Sequence, residues 1–118
     1  MILVLDDEPH YIQAYIDTLR DAGFKVVVVT TVAAFMRTLS PETTAVIIDV
    51  MLEAGIDAGL AAFRSMRQVS PFLPAIILTN RTDLHLTETD RRSHLVSKRD
   101  ILPSELLTLL RDALVARE

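Results

Sequence analysis

Short aliphatic runs recur along the chain and strongly limit what it can fold into. They read ILVL at 2–5, VVVV at 26–29, AVII at 45–48 and AIIL at 75–78, with a weaker run, HLV, at 94–96. Runs that are apolar on both faces are typical of parallel strands covered by helices on each side. The sequence therefore predicts a buried, mainly parallel sheet of five strands.

Amphipathic segments separate these runs and predict five helices. The first places Ile12, Ile16 and Leu19 on one side and ends before Gly23, a residue type common just past a helix end. The other four are expected at 32–39, at 60–67 after Gly59, at 82–92 and at 103–115. Strands alternating with helices predict an α/β fold, a three-layer α/β/α sandwich joined by right-handed crossovers.

Composition narrows the class of protein. The 118 residues suit a single domain spanning 1–118, and half of them are hydrophobic. The net charge of −4 argues against direct nucleic-acid binding, and the lack of cysteine excludes disulfides and thiolate metal sites. The aliphatic runs are too short to cross a membrane, and the first leaves no room for a signal peptide. We expect a cytoplasmic domain.

Polar residues end four of the five predicted strands. Asp6 and Asp7 follow the first run, Asp49 the third, Thr79 the fourth and Lys98 the fifth. Sites in open parallel sheets form at the carboxyl ends of the strands. We therefore expect three carboxylates, a hydroxyl and an ammonium group to meet at one edge of the sheet.

This set of groups has a chemical logic. Close carboxylates repel each other, so they favour a bound cation, and oxygen-only ligands suit Mg²⁺. A carboxylate can also attack phosphorus to form an aspartyl phosphate. The metal and Lys98 would then offset charge on the phosphoryl oxygens, and Thr79 would hydrogen-bond one of them.

The chain resembles the receiver domains of two-component response regulators, and the likeness covers nearly its whole length. It rests on LVLDDEP, AVIIDVML, DAGL, AIILTN and LVSK, which stand in the family's order and at roughly its spacing. The resemblance implies a flavodoxin-like fold with strand order 2-1-3-4-5. It also implies a switch at the fourth helix, fifth strand and fifth helix, rather than an enzyme that turns over a separate substrate.

The resemblance also implies a role for each matched residue. Asp49 would accept a phosphoryl group from a sensor histidine kinase or phosphotransfer protein. Mg²⁺ would be bound directly by Asp7, through water by Asp6, and by Asp49 and the backbone carbonyl of Met51. Thr79 and Lys98 would be the switch hydroxyl and the phosphoryl-pairing lysine. A fused or separate effector would receive the signal.

The chain departs from the family's pattern mainly at positions that take part in switching. Receivers commonly have proline after the lysine, where this chain has Arg99, and an aromatic residue where it has Leu95. The residue after Thr79 is usually small, and here it is Asn80. We therefore expect phosphorylation to be retained and signal transmission to be altered.

Other interpretations remain open at this stage. The chain could be a receiver-like adaptor that binds partners without phosphorylation, or, as a weaker alternative, a Mg²⁺-dependent aspartyl phosphatase. An Asp after a strand often only caps a helix, and Glu8 is expected only to begin one. The last helix has more leucines than one buried stripe needs, so Leu107 or Val115 could serve a homodimer.

Overall fold

Five parallel strands form one sheet in the computed structural model, which describes residues 1–49, 56–79, 93–97 and 101–116. The strands are β1 (Ile2–Leu5), β2 (Val26–Val29), β3 (Ala45–Asp49), β4 (Ala75–Thr79) and β5 (Ser93–Ser97). Their order across the sheet is β2-β1-β3-β4-β5, and every neighbouring pair is parallel. The predicted sheet and its strand order are therefore confirmed.

Four α-helices lie within the described residues. They are α1 (Gln13–Asp21), α2 (Val32–Thr38), α3 (Ile56–Val69) and α4 (Pro103–Ala116). These correspond to the first, second, third and fifth helices predicted from the sequence. The helix predicted at 82–92 lies outside the described residues, so the count of five helices stays a prediction. None of the described helices combines the length and apolar character that a membrane span requires.

Two helix starts differ from the sequence prediction. A 3₁₀ turn (Pro9–Ile12) precedes α1, a common arrangement at helix N-termini. The third helix was expected after Gly59 but begins at Ile56, so that prediction was wrong. Gly59 is buried, and packing in the core outweighs the low helix propensity of a single glycine.

Strand side chains alternate between two apolar clusters, one on each face of the sheet. The first cluster joins α2 and α3 to the sheet and includes Leu3, Leu5, Phe35, Val46, Ile48, Phe63, Met66 and Ile77. The second joins α1 and α4 to the opposite face and includes Ile2, Val4, Ile16, Leu19, Ile47, Ile76, Leu106 and Leu110. The sheet is thus covered on both sides, which confirms the three-layer architecture.

The chain bends sharply after α1 and then enters β2, an edge strand. Gly23 has φ of +98°, a left-handed conformation, and its N–H donates to the carbonyl of Arg20 at 2.9 Å. The guanidinium of Arg20 in turn donates to the carbonyl of Val26 at 3.0 Å. The turn and the first residue of β2 are therefore tied to the end of α1.

Arg67 links the end of α3 to the starts of β4 and β5. Its guanidinium donates to the carbonyl of Leu73 at 2.6 Å, to that of Ser70 at 3.2 Å and to the hydroxyl of Ser93 at 2.6 Å. The same group lies 5.3 Å from the centre of the Phe63 ring. Because β5 is an edge strand with a polar start, the bond to Ser93 helps to fix its register against β4.

We expect Arg67→Met to lower the free energy of unfolding by roughly 2 kcal/mol, because several backbone carbonyls and Ser93 lose their donor. Urea unfolding measures this loss. Arg64→Met is the matched control, since Arg64 lies on the same helix and is exposed. Equal losses in the two variants would contradict the role given to Arg67.

Candidate functional site

Strand pairing brings three carboxylates to one edge of the sheet. Asp6 and Asp7 follow β1, and Asp49 is the last residue of β3. These strands are neighbours, with Leu5 opposite Ile48, so both deliver their acids at the same level. The predicted meeting of Asp6, Asp7 and Asp49 is therefore confirmed.

Two hydrogen bonds to neighbouring backbone groups hold Asp6 in place. Its N–H donates to the carbonyl of Val29 at 3.1 Å, which extends the pairing of β1 with β2. Its Oδ1 accepts a hydrogen bond from the N–H of Glu8 at 2.9 Å, the pattern of an Asx turn. Asp6 thus closes a local turn but does not cap a helix, since neither the 3₁₀ turn nor α1 has a side-chain cap. A carboxylate has two oxygens and about four acceptor sites, so accepting this hydrogen bond and binding a metal are compatible.

The acid cluster has the composition and spacing of a hard-cation site. One carboxylate oxygen from each of Asp6, Asp7 and Asp49 lies within 4.8 Å of the others. Asp6 and Asp49 are buried, and Asp7 is half-buried. Repulsion between like charges is strong where water is partly excluded, and a divalent cation relieves it. These residues fit a metal bound through oxygen, and Mg²⁺ prefers such ligands.

Thr79 ends β4 beside the acid cluster. Its neighbour Leu78 pairs with Asp49 on one side, and Thr79 itself pairs with Ser97 of β5 on the other. Thr79 is only 2% exposed. Its predicted place at the carboxyl edge of the sheet is confirmed.

Two predicted site residues, Met51 and Lys98, lie outside the described residues. Lys98 directly follows Ser97, the last residue of β5, in the sequence. Glu8 is exposed and precedes the 3₁₀ turn, as expected of a residue that only begins a helix. Leu95 lies on β5 and is 37% exposed.

Sequence reasoning missed a contact close to this edge. Tyr15 on α1 donates a hydrogen bond to the backbone carbonyl of Ile101, just before α4. In the sequence, Tyr15 only flanks the apolar stripe of the first helix. A bond between residues 86 positions apart leaves no local signal that could have found it.

A model of the response regulator receiver domain family matches residues 2–95, which is most of the chain. The chain belongs to this family. Receiver domains act in two-component signalling, where they interact with kinases and effectors. No curated protein gives a significant sequence match to this receiver domain.

Solved structures similar to this receiver domain agree with its fold. A response regulator receiver protein from Sinorhizobium medicae is 26% identical, with a TM-score of 0.83, and the match covers 99% of this chain and 95% of that one. A receiver domain protein from Clostridium thermocellum is 21% identical, with a TM-score of 0.84, over 98% and 94% of the two chains. NtrX from Brucella abortus is 20% identical, with a TM-score of 0.82, over 98% of this chain and 27% of NtrX. A receiver fold can therefore form about a quarter of a longer protein.

We expect Asp7→Asn to raise the free energy of unfolding by about 1 kcal/mol when divalent ions are chelated, because one repelling charge is removed from the cluster. We also expect millimolar Mg²⁺ to stabilise the unmodified domain, and the same variant should lose that stabilisation.

Urea unfolding with EDTA and with Mg²⁺ measures both effects. Asp17→Asn is the control, since Asp17 is an exposed acid on α1 outside the cluster. If Mg²⁺ stabilised Asp7→Asn as much as the unmodified domain, Asp7 would not be a ligand.

Proposed function

We propose that this domain accepts a phosphoryl group on Asp49 from a sensor histidine kinase or a phosphotransfer protein. The observation that carries the proposal is the acid cluster itself. A buried carboxylate at the end of a central strand lies within 4.8 Å of two further carboxylates in a member of the receiver family.

The transfer is a displacement at phosphorus. A carboxylate oxygen of Asp49 forms a new bond to the phosphorus of a phosphohistidine, and the bond from phosphorus to the histidine nitrogen breaks. The electron pair of the broken bond stays on that nitrogen, and a proton on the other ring nitrogen of the phosphohistidine lets the side chain leave as neutral imidazole. The product is an aspartyl phosphate that water later hydrolyses.

Mg²⁺ would be held by Asp6, Asp7 and Asp49, with the backbone carbonyl of Met51 as a further ligand. When bound, the ion supplies positive charge that offsets the charge on the phosphoryl oxygens. The acids would bind and orient it, and the carboxylate of Asp6 is already held by the hydrogen bond that it accepts from the N–H of Glu8.

Thr79 and Lys98 would recognise the phosphorylated state. The hydroxyl of Thr79 would donate a hydrogen bond to a phosphoryl oxygen, and Lys98 would pair with another. This would shift an existing equilibrium between two states at the helix predicted at 82–92, at β5 and at α4. Leu95 is exposed on β5 and has no ring or hydroxyl with which to follow Thr79, so the output response should differ from that of most receivers.

The proposed role has consequences for the chain's extent, its partners and its location. The chain would act as one receiver domain over 1–118 and would pass its signal to a fused or separate effector. Its catalysis would be limited to its own phosphorylation and dephosphorylation, in the cytoplasm and without direct contact with nucleic acid or membrane. A homodimer is a further proposal. Val115 on α4 is 70% exposed and available for it, whereas Leu107 packs partly against the core.

We expect acetyl phosphate with Mg²⁺ to label the unmodified domain and to leave Asp49→Asn unlabelled, because the amide cannot act as the nucleophile. Intact mass spectrometry measures the label. Hydroxylamine should remove it, as it does from acyl phosphates. Asp17→Asn is the control and should label normally.

A domain that stays unlabelled at saturating donor and Mg²⁺ would contradict the proposed function. The adaptor function, binding of partners without phosphorylation, would then be the better account. Release of phosphate from a generic phosphomonoester, lost in Asp49→Asn, would instead favour the phosphatase alternative.

We expect Thr79→Ala to slow labelling about tenfold, because a donor to the developing phosphoryl charge is lost. Thr79→Ser is the matched variant and should stay within about threefold, since it retains the hydroxyl. Labelling rates with acetyl phosphate measure both. Equal rates for the alanine and serine variants would exclude a role for the hydroxyl.

A further inference from the structure

Arg67 on α3 joins the start of β5 to the segment that leads into β4. Its Nη2 donates to the hydroxyl of Ser93, the first residue of β5, at 2.6 Å. Its Nη1 donates to three carbonyls between α3 and β4, those of Ser70 at 3.2 Å, Pro71 at 3.3 Å and Leu73 at 2.6 Å. Because the guanidinium is planar and rigid, it holds these two parts of the chain at a fixed separation.

The surroundings of this contact strengthen it. Ser93 is only 7% exposed, and Arg67 is half-buried with its guanidinium over the buried ring of Phe63. A hydrogen bond from a charged donor is stronger than one between neutral groups, and partial exclusion of water strengthens it further. The amino end of β5 is thus attached firmly to the core of the domain.

The following residues of β5 are held less firmly. β5 is an edge strand that pairs only with β4, and every residue of β4 is buried. In β5, by contrast, His94 and Val96 are half-buried and Leu95 is 37% exposed. A segment with few buried contacts shifts at a lower cost in free energy than a buried one. The freedom of β5 to move is therefore smallest at Ser93.

The carboxyl end of β5 lies beside the site where phosphorylation would act. Ser97 pairs with Thr79, whose hydroxyl is the proposed donor to the phosphoryl group. Four residue steps separate Ser93 from Ser97, a length of roughly 13 Å. With Ser93 fixed, a displacement of about 1 Å at Ser97 corresponds to a tilt of the strand by about 4°. A small movement beside Thr79 can therefore be taken up by β5 as a rotation about its amino end.

We propose that the bond between Arg67 and Ser93 is the fixed point about which β5 tilts when Asp49 is phosphorylated. The displacement is largest beside Thr79 and falls to zero at Ser93, so β5 keeps its register and does not slide along β4. This inference rests on the proposed function, because phosphorylation of Asp49 drives the tilt. It adds a residue of α3, at the opposite end of the sheet from the acid cluster, to the parts that shape the response.

Ser93→Ala tests the proposal because it removes the hydroxyl that Arg67 binds and keeps a small side chain. Ser93→Thr is the matched variant that retains the hydroxyl, and Ser104→Ala is the control, since Ser104 is an exposed serine on α4. Two quantities are measured by NMR on the full chain, with Mg²⁺ present throughout. They are the exchange rates of the β5 amides without a phosphodonor and the changes in amide chemical shift when acetyl phosphate is added.

In the unmodified domain, we expect acetyl phosphate to change the amide shifts of Val96 and Ser97 about threefold more than those of Ser93 and His94. In Ser93→Ala the two ends of β5 should change about equally. Without the donor, the amides at the amino end should exchange about tenfold faster in this variant, because one hydrogen bond that holds the strand is lost. Ser93→Thr and Ser104→Ala should match the unmodified domain in both measurements.

Two results would overturn the proposal. Equal shift changes at both ends of β5 in the unmodified domain would show that the strand moves as a whole. Normal exchange at the amino end of β5 in Ser93→Ala would show that the bond to Arg67 does not hold the strand. Failure of the proposed function looks different, since mass spectrometry would then show no label on the unmodified domain. The tilt would fail with it, and the exchange rates would still decide whether Ser93 is anchored.

Discussion

Repulsion between three carboxylates is the constraint on which the arrangement of this site depends. The pairing of β1 with β3 brings Asp6 and Asp49 to the same level, and one carboxylate oxygen from each of Asp6, Asp7 and Asp49 lies within 4.8 Å of the others. In a partly buried setting this charge favours a bound cation. The sheet thus holds these like charges together, which is the arrangement that the proposed function requires.

The strands can bear this repulsion because of where they lie in the sheet. β1 and β3 occupy inner positions, and all of their residues are buried between two layers of helices. Apolar burial on both faces contributes roughly 2 kcal/mol for each large aliphatic side chain, and together these exceed the cost of bringing a few like charges together. The apolar core therefore supplies the stability that allows the charged edge to form.

Much of the sheet and of the acid cluster was predictable from the sequence, for a physical reason. Inner parallel strands are apolar on both faces, so β1, β3 and β4 stand out as unbroken runs, and the polar residues that end them mark the site. Contacts made across the fold were not predictable. In the sequence, Tyr15 only flanks the apolar stripe of the first helix and Arg67 only ends the segment predicted at 60–67. In the structure Tyr15 bonds the carbonyl of Ile101, and Arg67 bonds the hydroxyl of Ser93 on β5. The start of the third helix was predicted too late, because burial of Gly59 outweighs the low helix propensity of glycine.

The strand order has a further consequence at β2, for solubility. It leaves a strand of four β-branched residues at an open edge, the kind of surface on which chains pair into aggregates. The carbonyls of Lys25 and Val29 accept from the β1 side, so that of Val26 points outwards, where the guanidinium of Arg20 binds it. The strand is also short, which leaves few groups for another chain to pair with. Selection on Arg20 would then act through the concentration at which the protein stays dispersed, and not through its signalling chemistry.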